Sequence, residues 1–123
     1  MATEDAVVLF TLEVVDLVHG GAPVTYNDVA VKGENLYHAM CQLEAKPGSN
    51  FTFQSLLTSY GHYITVINGL SKDDANDNYW TIRIGNLDHW APVGVDEFYP
   101  KQGDKYIFAF THIKGEHANT VKM

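Results

Sequence analysis

The first hydrophobic pattern along the chain has a period of two. Between residues 7 and 18, apolar side chains recur at every second position, at Val8, Phe10, Leu12 and Val14. This alternation predicts a β-strand. The opposite face is also partly apolar, which is typical of a central strand or of one whose outer face is covered later. The turn cluster 19–23 and the segment 24–32 then predict a returning strand, and so a hairpin.

The next segment has the period of a helix. Its apolar residues are spaced by three and four positions, at Leu36, Ala39, Met40 and Leu43. One apolar stripe therefore faces inward on a helix of about three turns. Gly33 or Asn35 can begin this helix because both tolerate the backbone geometry of a cap, and Pro47-Gly48 ends it.

After Gly48 the pattern returns to strands. Four more are predicted, near 51–58, 62–67, 79–84 and 105–113, with polar loops at 71–78 and 86–92. No repeat, low-complexity tract or linker interrupts the chain. We therefore predict one domain over residues 1–123, with a core of about 7–113 and flexible tails. Two strands, a helix and then more strands indicate an α+β domain.

A single helix can cover only one face of a sheet, and several strands are apolar on both faces. On strand 79–84, Trp80 and Ile82 share one face, while Tyr79 and Thr81 share the other. Aromatic residues make up 12% of the chain, and Trp90 lies in a loop. We therefore expect some aromatic surface to remain for a ligand or a partner.

Composition narrows the class of protein. The chain is 46% hydrophobic and 19% charged, which is ordinary for a globular domain that folds without a partner. Its formal net charge of −7 disfavours nucleic acid, because binding phosphates requires clustered Lys and Arg. No apolar run approaches the roughly 20 residues that span a bilayer. We expect a domain that binds neither nucleic acid nor membrane.

The cellular compartment is open to two interpretations. Residues 1–5 lack the basic and apolar regions of a signal peptide, but a mature secreted protein behind an added methionine would look the same. Asn50-Phe51-Thr52 fits the N-glycosylation sequon and makes Asn50 a possible glycosylation site, so we expect an extracellular protein. Cys41 stands alone and cannot form an internal disulfide, although it could cross-link two chains.

Motifs that carry chemistry are absent from the sequence. It contains no dinucleotide fingerprint, phosphate-binding loop, nucleophile elbow or zinc-protease helix. The Asp74-x-Asn76-x-Asn78 spacing is like the start of a calcium loop, but Tyr79 and Gly85 stand where glycine and glutamate are required. We interpret it as a solvated acidic turn.

Cysteine and histidine give no stronger signal. His38 and Cys41 are three residues apart on the helix and could pair, but both lie away from its apolar stripe, where nothing supplies a third catalytic group. The other histidines show no metal-ligand spacing, at His19, His62, His89, His112 and His117. We predict no catalytic residue, no metal site and no required cofactor.

The order of motifs resembles the small C-terminal β-domain of the transcobalamin and intrinsic-factor family, extracellular carriers of cobalamin. The resemblance runs from about residue 7 to residue 113 and is carried by Phe51-Thr52-Phe53, Ser59-Tyr60-Gly61, Ile67-Asn68-Gly69, Tyr79-Trp80, Gly94-Val95 and Pro100. Pattern and resemblance together predict a β-grasp, ubiquitin-like fold, in which a single helix packs on one face of a mixed sheet.

The resemblance also implies a ligand. In that family a helical-barrel domain and this β-domain hold cobalamin between them, so Ile64, Thr65, Ile82 and Ala91 would face the corrin. The family favours leucine where this chain has Ala91, which reduces that contact. This sequence contains no counterpart of the helical domain, so three outcomes stay open: weak corrinoid binding to the bare sheet, a second copy that closes the pocket, or the fold reused for another ligand.

We therefore predict a non-enzymatic domain that binds cobalamin or a similar flat, amphipathic molecule. The expected binding surface comprises Tyr60, His62, Ile64, Thr65, Trp80, Ile82, Trp90 and Ala91. The alternative is an extracellular interaction module, in which the same surface docks a protein or a glycan or pairs two chains as a homodimer. An enzyme is the third class and has the least support.

Overall fold

The computed structural model describes residues 6–113. The predicted flexible tails, residues 1–5 and 114–123, lie outside this range, as does His117. The elements follow in chain order as β1 (Val7–Asp16), β2 (Val24–Lys32), α1 (Leu36–Ala45), β3 (Phe53–Thr58), β4 (Gly61–Ile67), β5 (Leu70–Ser71), a 3-10 turn (Asp74–Asn76), β6 (Asn78–Ile84) and β7 (Lys105–His112).

The strands form two sheets. The larger has the order β2-β1-β7-β6, and the smaller has the order β3-β4-β5. Within the larger sheet β1 and β7 run parallel, whereas β1 with β2 and β6 with β7 are antiparallel. One helix with two sheets confirms the predicted α+β class. The sequence pattern did not reveal the division into two sheets, because it identifies strands but not their partners.

A side-chain hydrogen bond joins the two sheets. The indole Nε1–H of Trp80, on β6, donates to the carbonyl oxygen of Leu70, on β5, over 2.9 Å. Before β5 the chain reverses through Asn68 and Gly69, whose φ angles of 51° and 83° suit a type I′ turn. This reversal lies within the Ile67-Asn68-Gly69 motif.

Helix α1 begins at one of the two N-cap residues that the sequence predicted. The Asn35 side-chain oxygen accepts a hydrogen bond from the His38 backbone N–H at 2.8 Å, so Asn35 and not Gly33 is the N-cap. The predicted apolar stripe is confirmed, since Leu36, Ala39, Met40 and Leu43 are all buried. The helix ends at Ala45, because the residue before Pro47 is driven to an extended backbone.

The main core lies where the larger sheet, the helix and the smaller sheet meet. Its largest fully buried side chains include Trp80, Tyr106, Phe108 and Phe110. The opposite face of the sheet carries a smaller buried cluster of Val15, Ile107 and Ala109. Both faces of the central strands are therefore covered, as the apolar character of both faces indicated. Within residues 6–113, no helix is long and apolar enough to cross a membrane.

Candidate functional site

The tip of the β3–β4 hairpin is the most exposed apolar part of the described chain. We define this hairpin tip as residues 56–62. Leu56 is 59% exposed, Leu57 70% and Tyr60 94%. The turn is held locally, because the Thr58 hydroxyl donates to the Gly61 carbonyl at 2.8 Å and accepts from the Tyr60 N–H at 3.1 Å. An ordered hairpin thus presents apolar side chains to solvent.

His62 lies at the base of the hairpin tip in a defined orientation. Its Nδ1 is 2.9 Å from an Asp96 carboxylate oxygen, and its backbone N–H donates to the other oxygen of the same carboxylate. Its ring stacks on Tyr37 with centroids 3.7 Å apart and planes 11° apart. A carboxylate oxygen is a hydrogen-bond acceptor, so Nδ1 is the donor in this contact.

Asp96 is in turn fixed by the N-terminus of helix α1. The Asn35 side-chain amide donates to the Asp96 carbonyl oxygen at 3.1 Å. The Tyr37 N–H, one of the helix's unsatisfied donors, donates to the Val95 carbonyl at 3.2 Å. Gly61 adopts φ +108°, and a Cβ there would collide with the Asp96 carboxylate. The close approach between hairpin and loop therefore requires glycine at this position.

Three of the predicted binding residues are part of the core. Ile64, Trp80 and Ile82 are 0%, 1% and 3% exposed. The prediction that their side chains lie on a ligand-facing surface differs from the structure, which packs them in the main core. The sequence placed Trp80 and Ile82 on one face of a strand, as the structure does, but that face is the one turned into the main core. These three residues support the surface and do not form it.

Trp90 covers a buried cation. Residues 89–91 run beside β6, because the Ile84 N–H donates to the His89 carbonyl at 2.8 Å and the Ala91 N–H donates to the Ile82 carbonyl at 2.9 Å. Trp90 is 39% exposed, and the Arg83 guanidinium lies 3.8 Å from its ring centroid. The pair is a cation–π contact.

Arg83 is held by neutral groups on the face of β6 opposite the main core. Its Nε donates to the Thr81 hydroxyl at 3.0 Å, its Nη2 donates to the Thr111 hydroxyl at 3.0 Å, and its Nη1 donates to the Leu87 carbonyl. Burial lowers the pKa of Arg83, and the charge of Asp88 opposes that shift. Trp90 thus has a structural role in anchoring the loop, whatever else it contacts.

The remaining predicted residues occupy separate positions. Thr65 lies opposite the bulge between Gln54 and Ser55, and its hydroxyl donates to the Gln54 carbonyl at 3.2 Å. Ala91 is partly buried against the main core. The structure thus brings Tyr60 and His62 together on the hairpin, places Thr65 further along the same strand, and sets Trp90 and Ala91 beside β6.

Four residues near His62 escaped the sequence analysis. Leu56 and Leu57 are adjacent in β3 and are exposed on opposite faces, which a pair of leucines in a strand could have suggested. Tyr37 is on the helix and Asp96 is in a loop 34 residues from His62. No local pattern connects residues so far apart.

The other candidate chemistry is weak. The Cys41 thiol is free and partly buried, and His38 is exposed. The acidic turn at 73–77 is satisfied internally, as the Asn76 side-chain amide donates to Asp73 at 2.7 Å and Lys72 pairs with Asp74. Within the described range, no group of three His, Cys, Asp or Glu side chains could hold a metal ion.

Two shallow depressions lie away from all eight predicted residues. One, of about 250 Å³, lies between β2 and the C-terminal end of α1 and is lined by Asp28, Val29 and Leu43 among others. The other, of about 200 Å³, is lined by residues that include Val8, Val31 and Tyr99. Both are smaller than the roughly 300–1,000 Å³ of typical small-molecule pockets. Neither of these two depressions therefore has the size of a typical enclosed ligand site.

Two solved structures have folds similar to that of this chain. Haptocorrin, solved in complex with Cbi, superposes with a TM-score of 0.75 at 18% identity, over 89% of this chain and 26% of the haptocorrin chain. A candidate metal-binding protein from Ruminococcus gnavus ATCC 29149 matches with a TM-score of 0.68 at 14% identity, over 87% of this chain and 99% of its own. No curated protein matches the sequence.

These matches define the class as a transcobalamin-like β-domain, which confirms the resemblance seen in the sequence. The descriptions of the two similar structures name what they bind, Cbi in one and a metal in the other. A family model, a domain of unknown function called DUF4430, matches residues 33–112. The chain belongs to the DUF4430 family.

Proposed function

We propose that this domain binds a corrinoid without chemical conversion and forms one wall of the ligand site. The likeness to haptocorrin, which was solved with Cbi, supports this proposal. The chain spans about a quarter of haptocorrin, 26% of its length, so the proposal concerns this domain and not the activity of a whole carrier. An open wall leaves one face of a flat ligand solvated, and we expect modest affinity unless a second surface closes over it.

The exposed hairpin tip is the observation that carries the proposal. Leu57 and Tyr60 offer apolar contact area that the fold has not used. A corrin ring is flat and largely apolar across its faces, so such side chains gain by covering it. Preformed hydrogen bonds at Thr58 reduce the entropy lost when the hairpin meets a ligand.

We assign the ligand contacts to those predicted residues that remain accessible, together with the two leucines. The contact set then comprises Leu56, Leu57, Tyr60, His62, Thr65, Trp90 and Ala91. Ile64, Trp80 and Ile82 hold the strands beneath this surface.

The finer parts of the prediction enter the same proposal. A helix that follows the first hairpin, with parallel central strands β1 and β7, supports the β-grasp assignment. The exposed Asn50, in the loop between α1 and β3 with φ 59°, supports glycosylation in an extracellular protein. Mass spectrometry of the protein expressed in a secretory host would detect a glycan on Asn50.

Titration with cyanocobalamin tests the proposal. Saturable quenching of tryptophan fluorescence is expected for the wild type. Leu57→Asp should weaken binding by about 10- to 100-fold, because burying a leucine contributes about 1.5–3 kcal/mol. Leu17→Asp is the matched control, since Leu17 is also an exposed leucine, at 45%, but lies after β1. No saturable binding, or equal losses in the two variants, would overturn the proposal.

A homodimer is the second candidate, because β3 is an edge strand. It lies at the end of the order β3-β4-β5 and exposes leucines on both faces. Exposed apolar edge strands pair readily with other chains. Light scattering after size-exclusion chromatography would detect a dimer in the absence of ligand, and Leu56→Lys should dissociate it. A monomer at all concentrations would exclude this candidate.

A further inference from the structure

We propose that the free edge of β3 binds an extended, basic segment of a partner protein and adds it to the smaller sheet as a further strand. The inference goes beyond the proposed function, because it concerns the backbone edge of the hairpin and not the side chains that would cover a corrinoid. In this mode of recognition, backbone hydrogen bonds supply the affinity and side chains supply the specificity.

Within residues 6–113 the two sheets have four edges, and three of them are protected. Strand β2 has an irregular register with β1 around Asp28, whose φ is 56°. The outer side of β6 is bridged by residues 89–91, where Arg83 pairs with Trp90. Strand β5 has only two residues. Irregularity, cover and shortness are all means by which proteins prevent sheet edges from pairing with other chains.

The edge of β3 has none of these protections. The strand is six residues long and contains no charged residue, proline or glycine. Its register with β4 is irregular between Gln54 and Ser55, but the extra residue is Thr65, on β4. Residues 47–71 contain no Asp, Glu, Lys or Arg at all. An open and uncharged edge of this kind is available to pair with another strand.

The direction of the backbone groups shows which residues of β3 are available. The Gln54 carbonyl points toward β4, where it accepts the Thr65 hydroxyl at 3.2 Å, whereas the Phe53 N–H donates to a side chain of helix α1. Backbone groups of successive residues in an antiparallel strand point to opposite sides. Ser55 and Leu57 therefore each direct one N–H and one C=O to the free edge.

Glu44 marks one end of this edge and determines the charge of the partner. Its exposed carboxylate accepts the Phe53 N–H at 3.1 Å, and no Lys or Arg among the described residues pairs with it. A basic side chain opposite Phe53 on an added strand would reach this carboxylate, and such charge-assisted bonds are strong. The net charge of −7 attracts a basic segment at longer range as well.

A second copy of this chain is a poorer occupant of the edge. Pairing β3 with its own counterpart would place Glu44 against residues 47–71 of the other copy, which contain no Lys or Arg. The two copies, each with a net charge of −7, would also repel one another. An antiparallel segment from another protein would instead carry two apolar residues opposite Leu57 and Leu56, followed three positions later by Lys or Arg.

A synthetic strand tests the inference. The probe is a fluorescein-labelled peptide with the core Val-Leu-Thr-Ser-Lys, in which the threonine would pair with Ser55. We expect saturable binding by fluorescence anisotropy. N-methylation of the threonine removes a backbone donor that faces β3 and should weaken binding by at least about tenfold. N-methylation of the serine, whose N–H would face away from β3, is the matched control and should change the affinity by less than about twofold.

Exchange of charge tests the role of Glu44. A second peptide has glutamate in place of lysine, and we expect wild type to bind it about tenfold more weakly. Glu44→Lys should reverse this preference, which a general loss of stability would not do. Glu34→Lys is the matched control, because it makes the same change in net charge at an exposed position beside β1 and β2 and should leave the preference unchanged.

The outcomes separate this inference from the proposed function. Equal loss from N-methylation at both positions would overturn strand addition. Equal affinity for the two peptides, or equal changes in Glu44→Lys and Glu34→Lys, would overturn the basic partner. No saturable binding up to about 1 mM, or a ligand-free dimer that excludes the peptide, would overturn the inference, and the dimer would assign the edge to a second copy. Glu44 lies outside the corrinoid contact set, so Glu44→Lys should bind cyanocobalamin as wild type does, and either proposal can fail without the other.

Discussion

Strands β6 and β3 differ in how the fold covers them. In β6 every residue except Ile84 is buried, since one face lies in the main core and residues 85–93 lie near the other. In β3 no residue is buried, and it forms the edge of the smaller sheet. A strand closed on both faces can contribute only stability, whereas one open on both faces is available for recognition. The aromatic residues of the two regions should therefore respond to substitution in opposite ways.

The largest expected effect is on Trp80. Trp80→Ala would leave a cavity in the main core and remove the hydrogen bond to the Leu70 carbonyl that joins the two sheets. We expect the free energy of unfolding to fall by about 3–5 kcal/mol, as measured by urea denaturation. The substitution should lower stability but not ligand affinity, so the fraction that remains folded should bind cyanocobalamin as tightly as wild type.

Tyr60→Ala is the counterpart on the hairpin tip. Tyr60 is 94% exposed, so its removal should change the free energy of unfolding by less than about 0.5 kcal/mol. Any loss should be in cyanocobalamin affinity. A marked loss of stability in Tyr60→Ala, or a stable Trp80→Ala with weakened binding, would contradict the division of roles between β6 and the hairpin tip.

An effect on stability smaller than that of Trp80→Ala is expected where the hairpin meets the loop that carries Asp96. Gly61→Ala places a methyl group against the Asp96 carboxylate and a side chain at φ +108°. Gly69→Ala also has positive φ, at +83°, but meets nothing within 4 Å. In both variants the free energy of unfolding should fall by about 1–2 kcal/mol, because alanine disfavours the backbone conformation. In Gly61→Ala it should fall by about 1–3 kcal/mol more, because the methyl group crowds the carboxylate.

Thermal or urea unfolding of the two glycine variants measures this difference. The double variant Gly61→Ala/Asp96→Ala should recover the part due to crowding, because the opposing carboxylate is gone. Equal losses in Gly61→Ala and Gly69→Ala would show that the hairpin and the loop are not in close contact, and the orientation assigned to His62 would lose its basis.

Much of the fold could be predicted because its signals are local. The spacing of Leu36, Ala39, Met40 and Leu43 identifies both the helix and its buried face. Asn68-Gly69 identifies its turn, since both residues need positive φ. Strand pairing is not local. The parallel contact of β1 with β7 joins residues about 90 positions apart, and alternation within a strand carries no information about the neighbour.

The candidate site could be predicted only in part, for a related reason. Alternation assigned Trp80 and Ile82 to one face, but not whether that face was covered. The sequence marked His62 through its position next to a strand, whereas its orientation depends on Asp96 and Tyr37, which come from a loop and from the helix. Such contacts arise from tertiary packing and have no sequence period.

Substitution of Trp90 should have a moderate effect on stability. It also separates the anchoring of the loop from contact with the ligand. Trp90→Ala removes the ring that lies over the Arg83 guanidinium, so we expect a loss of about 1–2 kcal/mol in the free energy of unfolding. If Trp90 also contacts the ligand, cyanocobalamin affinity should fall further than in Trp90→Phe, which keeps an aromatic face over Arg83. Unchanged stability in Trp90→Ala would contradict the anchoring role, and unchanged affinity would remove Trp90 from the contact set.

The smallest effect at neutral pH is expected for Tyr63→Phe, yet it should alter how stability depends on pH. Burial, with smaller contributions from the charges of Asp74 and Tyr79, raises the pKa of Tyr63 to about 12; burial likewise raises the pKa of Tyr106 to about 12. Both values exceed the ordinary value of 10. The folded protein thus holds protons that the unfolded chain releases first.

The stabilisation from these tyrosines is therefore complete below about pH 10 and is lost as the pH rises toward about 12. Urea denaturation at pH 7, 9.5 and 11 should show wild type and Tyr63→Phe within about 0.5 kcal/mol at neutral pH and a shallower alkaline decline in the variant. Tyr63 lies on the hairpin and Tyr106 in the larger sheet. If the free energy of unfolding declines identically with pH in wild type and Tyr63→Phe, the Tyr63 hydroxyl ionises as readily in the folded protein as in the unfolded chain, and Tyr106 alone of the two accounts for the decline.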